Sequence, residues 1–147
     1  MELIASYPEH RFLPAGYFAY DASEDVINYD PGQIDKTDGK LALLHEISHA
    51  LLGHFHYRFD FELFAMEMDA WNMTKSLARK HKVKINHSYI EECMNSYDRW
   101  LTKRGTCPKC NEFNIQNQPN QCSCHRCQTA WKVSDNIQSS IRRKVIK

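Results

Sequence analysis

Apolar residues recur at intervals of three and four in three stretches of the chain, and each stretch predicts a helix. The first runs from about Lys40 to Phe55, with the loop "DKTDGK" before it supplying Thr37 or Asp38 as N-cap. The second covers roughly Glu62 to His81. The third spans about Tyr89 to Lys103, where Ile90, Met94, Tyr97 and Leu101 share one side, Ser88 and Glu91 make a capping box, and Gly105 is a terminator. Ahead of the helices, Tyr17–Tyr20 and Val26–Tyr29 read as short strands around an acidic turn closed by Pro31 and Gly32. After Gly105 the chain is rich in Asn and Gln and too poor in apolar residues to bury a core of its own.

The first helix has two faces. At about 100° per residue, His45 and His49 lie about 40° apart and one turn from each other, with Glu46 flanking them. Leu43, Leu44, Ile47 and Leu51 occupy the opposite side, so the back of the helix is expected to be buried. Two neutral imidazoles at this spacing can hold zinc while the glutamate accepts a proton from the attacking water and returns it to a leaving amine. His54 falls at about 180°, away from the pair, and is expected to be a core or subsurface histidine bonded to backbone. His56 is too far along the axis. The extended pattern with Gly three and His six residues after the second histidine is absent, since Leu52 and Phe55 stand there.

A third ligand is sought on the second helix. Glu67 sits in the middle of its apolar stripe with Leu63, Ala70, Trp71, Thr74 and Ala78, whereas Glu62 and Asp69 lie on the far side with Lys80. A carboxylate in a buried stripe is protonated, paired or bound to a metal. His45, His49 and Glu67 would leave one position of a tetrahedral ion open, the coordination count of a catalytic rather than a structural zinc. The oxyanion would need a Tyr or His, with Tyr20, Tyr57 and His87 as candidates.

Cys107–Cys110 and Cys124–Cys127 are two Cys-x-x-Cys knuckles separated by 13 residues, the spacing of a four-thiolate structural zinc ribbon. Cys122 is a spare that could replace Cys124, His125 is a weaker alternative ligand, and Cys93 is expected to be a small buried apolar residue. Trp131 and Val133 should cap the ribbon or dock on the third helix.

Charge divides the chain in the same place. Residues 1 to 101 hold 10 Lys and Arg against 16 Asp and Glu, and residues 102 to 147 hold 9 against 2, so a net charge of +1 conceals an acidic and a basic part. The basic end, Arg142 to Lys147, could contact phosphates. No apolar run approaches the roughly 18 residues of a membrane span, and the N-terminus lacks the pattern of a secretory signal. A cytoplasmic protein without membrane partners is expected.

"HEISHALLGH" followed by "EMDAW" resembles the ImmA/IrrE-type zinc metallopeptidases over about residues 15 to 80. The resemblance implies His45 and His49 as ligands, Glu46 as base, Glu67 as third ligand with Ala70 as its small neighbour, and a minimal zincin core. It also implies an intracellular endopeptidase acting on regulators. The cysteine-rich tail departs from that pattern, and no helix-turn-helix accompanies it. A histidine-pair domain with a C-terminal ribbon is also reminiscent of the SprT-like DNA-associated proteases, which take a third histidine. His81 and His87 are the candidates for one, and Glu67 fits better.

The expectation is thus an α+β protein: a zincin-like metallopeptidase domain over residues 1–104, a short β-sheet plus three helices; a four-cysteine zinc ribbon over 105–133; and a basic tail over 134–147. It would carry one catalytic and one structural zinc and cleave a protein or peptide substrate. The alternative is a nucleic-acid-binding or adaptor protein whose histidine-pair domain is idle.

Overall fold

The computed structural model describes residues 2–134 and 141–146. The class is α+β, with four helices and two small sheets among the described residues. The chain divides into two compact units, one of residues 1–56 and 66–92, the other of 57–65 and 93–147. This differs from a cut at residue 104: the first residues of the second helix with the three before them, and the third helix from Cys93 on, group with the cysteines.

In the first unit, α1 (Glu2–Ala5) precedes β1 (Arg11–Pro14), β2 (Ala19–Asp21) and β3 (Val26–Tyr29). The strands form a sheet of order β1-β3-β2, with β1 parallel and β2 antiparallel to β3. β3 lies where the sequence pattern puts it. β2 starts two residues later than expected, while β1 and α1 carry no periodic signal because each is only four residues long. Pairing to β3 defines β1.

Helix α2 (Thr37–Leu52) places Leu41, Leu43, Leu44 and Ile47 in full burial with Ile27 of β3, Ile34, Tyr7 and Ala78. Neither Thr37 nor Asp38 caps it: the N-cap is Lys36, whose side chain makes no capping hydrogen bond, and the Asp38 carboxylate instead accepts from the Asn86 side-chain amide at 2.9 Å. Gly39 is required there by space, since a Cβ would stand 1.9 Å from the Gln33 carbonyl oxygen. The helix stops at Leu52, three residues short of Phe55, because Gly53 takes a left-handed conformation at φ 64°.

Helix α3 (Asp60–Lys80) carries Ala70, Thr74 and Ala78 at intervals of four, all fully buried. Ser48 of α2 lies with its hydroxyl 3.1 Å from that of Thr74. Small residues on both helices let the backbones approach, which is what brings a glutamate on one within reach of imidazoles on the other. Helix α4 (His87–Gly105) begins two residues earlier than expected, and its cap is Asn86, whose side-chain oxygen accepts the Tyr89 N–H at 3.3 Å, in place of the Ser88–Glu91 box.

In the second unit, β4 (Gln116–Gln118), β5 (Gln121–Ser123), β6 (Ala130–Val133) and β7 (Arg143–Ile146) form an antiparallel sheet in that order. Most of the basic end is therefore an edge strand rather than a tail, paired residue for residue with β6 from Ala130↔Ile146 to Val133↔Arg143. Trp131 is fully buried and donates its indole N–H to the Arg104 carbonyl of α4 at 2.9 Å, so it both fills the ribbon and docks on the helix. Gly105 is the last residue of α4, and space requires a glycine there: a Cβ would meet the Asn114 carbonyl oxygen at 2.3 Å. Cys93, expected to be buried, is half-buried instead.

The polar centre of this unit is Arg104, 2 % exposed. Its Nε donates to Asp60 Oδ2 at 2.6 Å, its Nη1 to the Ser134 carbonyl and its Nη2 to Asn120 Oδ1, and the guanidinium lies over the Trp100 ring. Asp60 is also buried. Removing one partner of a buried ion pair strands the other charge, which costs about 3–5 kcal/mol. Asp60→Ala should lower the unfolding free energy by that amount in denaturant titrations.

Candidate metal centre

Helix α2 presents His45 and His49 one turn apart, and α3 presents Glu67 from its buried stripe at 5 % exposure. His45 Nε2 lies 3.0 Å from Glu67 Oε2, His49 Nε2 lies 3.4 Å from Glu67 Oε1, and the two Nε2 atoms are 3.1 Å apart. The two closest approaches to Glu67 fall on its two different carboxylate oxygens, and one donor atom from each of the three residues lies within 4.8 Å of the others. A tetrahedral ion with ligand bonds of about 2.0–2.1 Å separates its ligands by about 3.3 Å. The donor set fits a divalent cation by that measure and by chemistry, two imidazoles and one carboxylate. Glu67 lies buried against the histidine pair, while Glu62 accepts the backbone N–H groups of Arg58 and Phe59.

Trp71 lies against the outer side of His45, with ring centroids 4.0 Å apart and planes tilted by only 22°. The stack holds the imidazole plane, because His45 Nδ1 is buried and has no hydrogen-bond partner among the described residues. His49 is held differently. His54 Nδ1 lies 2.9 Å from His49 Nδ1, where the helical wheel placed His54 on the opposite face. The wheel fails because the helix has already ended: Gly53 turns the chain back, and His54 N–H bonds the His49 carbonyl at 3.1 Å. His56, by contrast, packs against Phe55.

Glu46 is half-buried beside the pair, and its Oε2 accepts the Tyr20 backbone N–H from strand β2 at 2.7 Å. Burial raises its pKa above the ordinary 4.5, against the lowering effect of His45, His49 and that hydrogen bond. Glu67 shows the opposite balance. Burial raises it, but hydrogen bonds to both histidines outweigh that and hold it at about 2, so it is an anion across the physiological range. His49 is raised: burial pulls it down, and the Glu67 hydrogen bond with the charges of Glu67 and Glu46 more than offsets the loss.

The Tyr20 phenol, His81 and His87 lie elsewhere. The Tyr20 hydroxyl donates to Asp25 at 3.1 Å, so it is the backbone of Tyr20, not its phenol, that reaches the glutamate. His81 pairs through Nε2 with the Tyr7 hydroxyl at 2.9 Å. His87 is exposed at the start of α4, lining a cavity with Asp38 and Gly39 at the other end of α2 from His49. Tyr57 belongs to the second unit.

That unit holds the other donor cluster, Cys107, Cys110, Cys124 and Cys127, whose sulfurs all lie within 4.8 Å of one another. Cys107 and Cys127 are 3.6 Å apart and Cys110 and Cys124 3.5 Å. Sulfurs at about 2.3 Å from a common tetrahedral ion would be separated by about 3.8 Å. The two knuckles have one design. In each, the residue after the second cysteine, Asn111 or Gln128, takes φ 60° and returns its N–H to the carbonyl of the first. Backbone N–H groups of Lys109 and Cys127 point at Cys107 and Cys124 sulfurs. Thr129 beside Cys127 holds that thiol at about 6. Cys122 stays outside the cluster, fully buried against the Arg104 carbonyl, and burial pushes its thiol up to about 11. His125 bonds Asn114 instead of joining the sulfurs.

No protein-family model, curated protein or solved structure matches this chain. No helix of the described residues is long and apolar enough to cross a membrane.

Proposed function

We propose that the chain is a zinc-dependent endopeptidase with a zincin-like core of the ImmA/IrrE type and a structural zinc in its cysteine cluster. The observation that carries this reading is the convergence of Glu67 on the Nε2 atoms of His45 and His49, with a further carboxylate, Glu46, beside them. His45, His49 and Glu67 would hold the ion. When bound, zinc supplies Lewis acidity, which polarises a peptide carbonyl and lowers the pKa of water from about 15.7 to near 7. Glu46 takes the proton from the attacking water and delivers it to the departing amine. The Tyr20 N–H keeps the Glu46 carboxylate aimed, and burial strengthens it as a base. No protein nucleophile is needed.

The test is a metal count. Wild-type protein should carry two zinc ions, and Glu67→Ala should carry about one, with peptide hydrolysis lost. Two ions in the variant would refute the assignment.

A second reading is favoured by the basic edge of the ribbon, where Arg142, Arg143 and Lys144 are exposed together. It is a nucleic-acid-binding protein whose histidine-pair unit is idle, or a DNA-stimulated protease of SprT-like kind. Phosphate contacts give binding that weakens steeply with salt. Salt-dependent DNA binding that disappears in Arg142→Glu/Lys144→Glu would support it.

A further inference from the structure

His54 has no part in the chemistry described so far, and its placement is specific. We infer that His54 is the positioning residue of His49: its Nδ1 accepts the His49 Nδ1–H and thereby presents His49 Nε2 as a bare donor to a divalent cation. The inference rests on His45, His49 and Glu67 being a metal site.

Two imidazole nitrogens 2.9 Å apart share one proton, so one donates and the other accepts. The opposite nitrogen of His49 faces His45 Nε2 at 3.1 Å and Glu67 Oε1 at 3.4 Å. A nitrogen that ligates a cation offers its lone pair, so the His49 proton must reside on Nδ1. His54 Nδ1 is then the acceptor, and its own proton sits on Nε2. The partner of a ligand histidine fixes both its tautomer and the plane of its ring.

The turn that achieves this is built for it. Gly53 adopts φ 64°, and a Cβ there would meet nothing within 4 Å, so the glycine serves conformation and not space. The same turn ties the His54 backbone to the His49 carbonyl, giving the two residues a backbone and a side-chain link at once. The division of labour between the ligands follows. Trp71 orients His45 by stacking, and His54 orients His49 by a hydrogen bond.

Two variants of the full chain test it: His54→Phe, which keeps a ring and removes the acceptor, and His54→Gln, which restores a carbonyl acceptor. Zinc affinity is read by competition with a chromophoric chelator. Cobalt substitution separates the sites, since only the cysteine cluster gives thiolate charge-transfer bands. His54→Phe should weaken the imidazole–carboxylate site by about 10–100-fold and leave the cysteine site unchanged, and His54→Gln should recover most of the loss. In ¹⁵N-edited imidazole spectra of the zinc-loaded wild type, His49 should carry its proton on Nδ1 and His54 on Nε2. An affinity in His54→Phe within twofold of wild type, or a His54→Gln no better than His54→Phe, would overturn the inference while leaving the metal site standing. A wild-type protein with metal at the cysteines alone would remove the site itself, and this inference with it.

Discussion

Glu46→Gln should abolish peptide hydrolysis while leaving two metal ions bound. A positioned general base is worth about 10²–10⁴-fold in rate, and an amide cannot accept the proton from water. The donor atoms proposed to hold the ion belong to His45, His49 and Glu67, which the substitution does not touch. The side-chain carbonyl of Gln can still accept the Tyr20 N–H that Glu46 Oε2 accepts at 2.7 Å, so the local geometry should persist. The comparison is made on an unfolded protein substrate that the wild type cleaves, with zinc counted in the same preparations. Hydrolysis by the variant at a tenth of the wild-type rate or more would remove Glu46 from the mechanism.

The same variant carries a stability signature. Burial raises the Glu46 carboxyl above its unfolded value near 4.5. A group whose folded pKa is higher than its unfolded one favours the fold when protonated and opposes it as pH rises above 4.5. In protein stripped of metal, Glu46→Gln should therefore raise Tm at pH 7. A residue serving only the fold would be expected to lower it, so loss of rate together with gain of stability separates a functional carboxylate from a structural one.

Cys124→Ser should unfold the ribbon and release one metal ion while α2 and the neighbouring part of α3 stay helical. The buried cluster of the ribbon comprises Cys107, Cys122, Cys124, Trp131 and Val133, three of its five members being cysteines. Apolar burial on that scale cannot offset the ordering of some thirty residues at about 1–2 kcal/mol each. Structural zinc contributes roughly 10–16 kcal/mol of apparent binding energy in small modules of this kind, comparable to the whole stability of a domain. The readouts are zinc content, a red shift in tryptophan emission as Trp131 meets water, and new tryptic cleavage at Lys109 and Arg126. A Cys124→Ser protein with full metal content and unshifted emission would show that the ribbon stands on its packing.

What can be read without coordinates is whatever a few consecutive residues impose on themselves. A period of 3.6 residues places His45 and His49 on one face of α2 and Glu67 in the apolar stripe of α3, whatever else surrounds them. A Cys-x-x-Cys turn brings two thiolates together by local backbone geometry, so the four sulfur donors were legible in the chain. Helix extents followed within a few residues for the same reason, and the errors fell at the ends, where capping depends on particular neighbours: Lys36 in place of Thr37 or Asp38, and Asn86 in place of Ser88.

What only the tertiary structure decided involves partners far apart in sequence, or a break in periodicity. β1 exists because β3 pairs with it, and the basic end is a strand because β6 offers an edge; neither segment of four residues states its conformation alone. The buried Asp60–Arg104 pair, 44 residues apart, and the stacking of Trp71 on His45 depend on chain closure that no local pattern encodes. His54 is the sharpest case. A uniform helix would have turned it away from His49, and one left-handed glycine, by reversing the chain after Leu52, set its imidazole against that of His49.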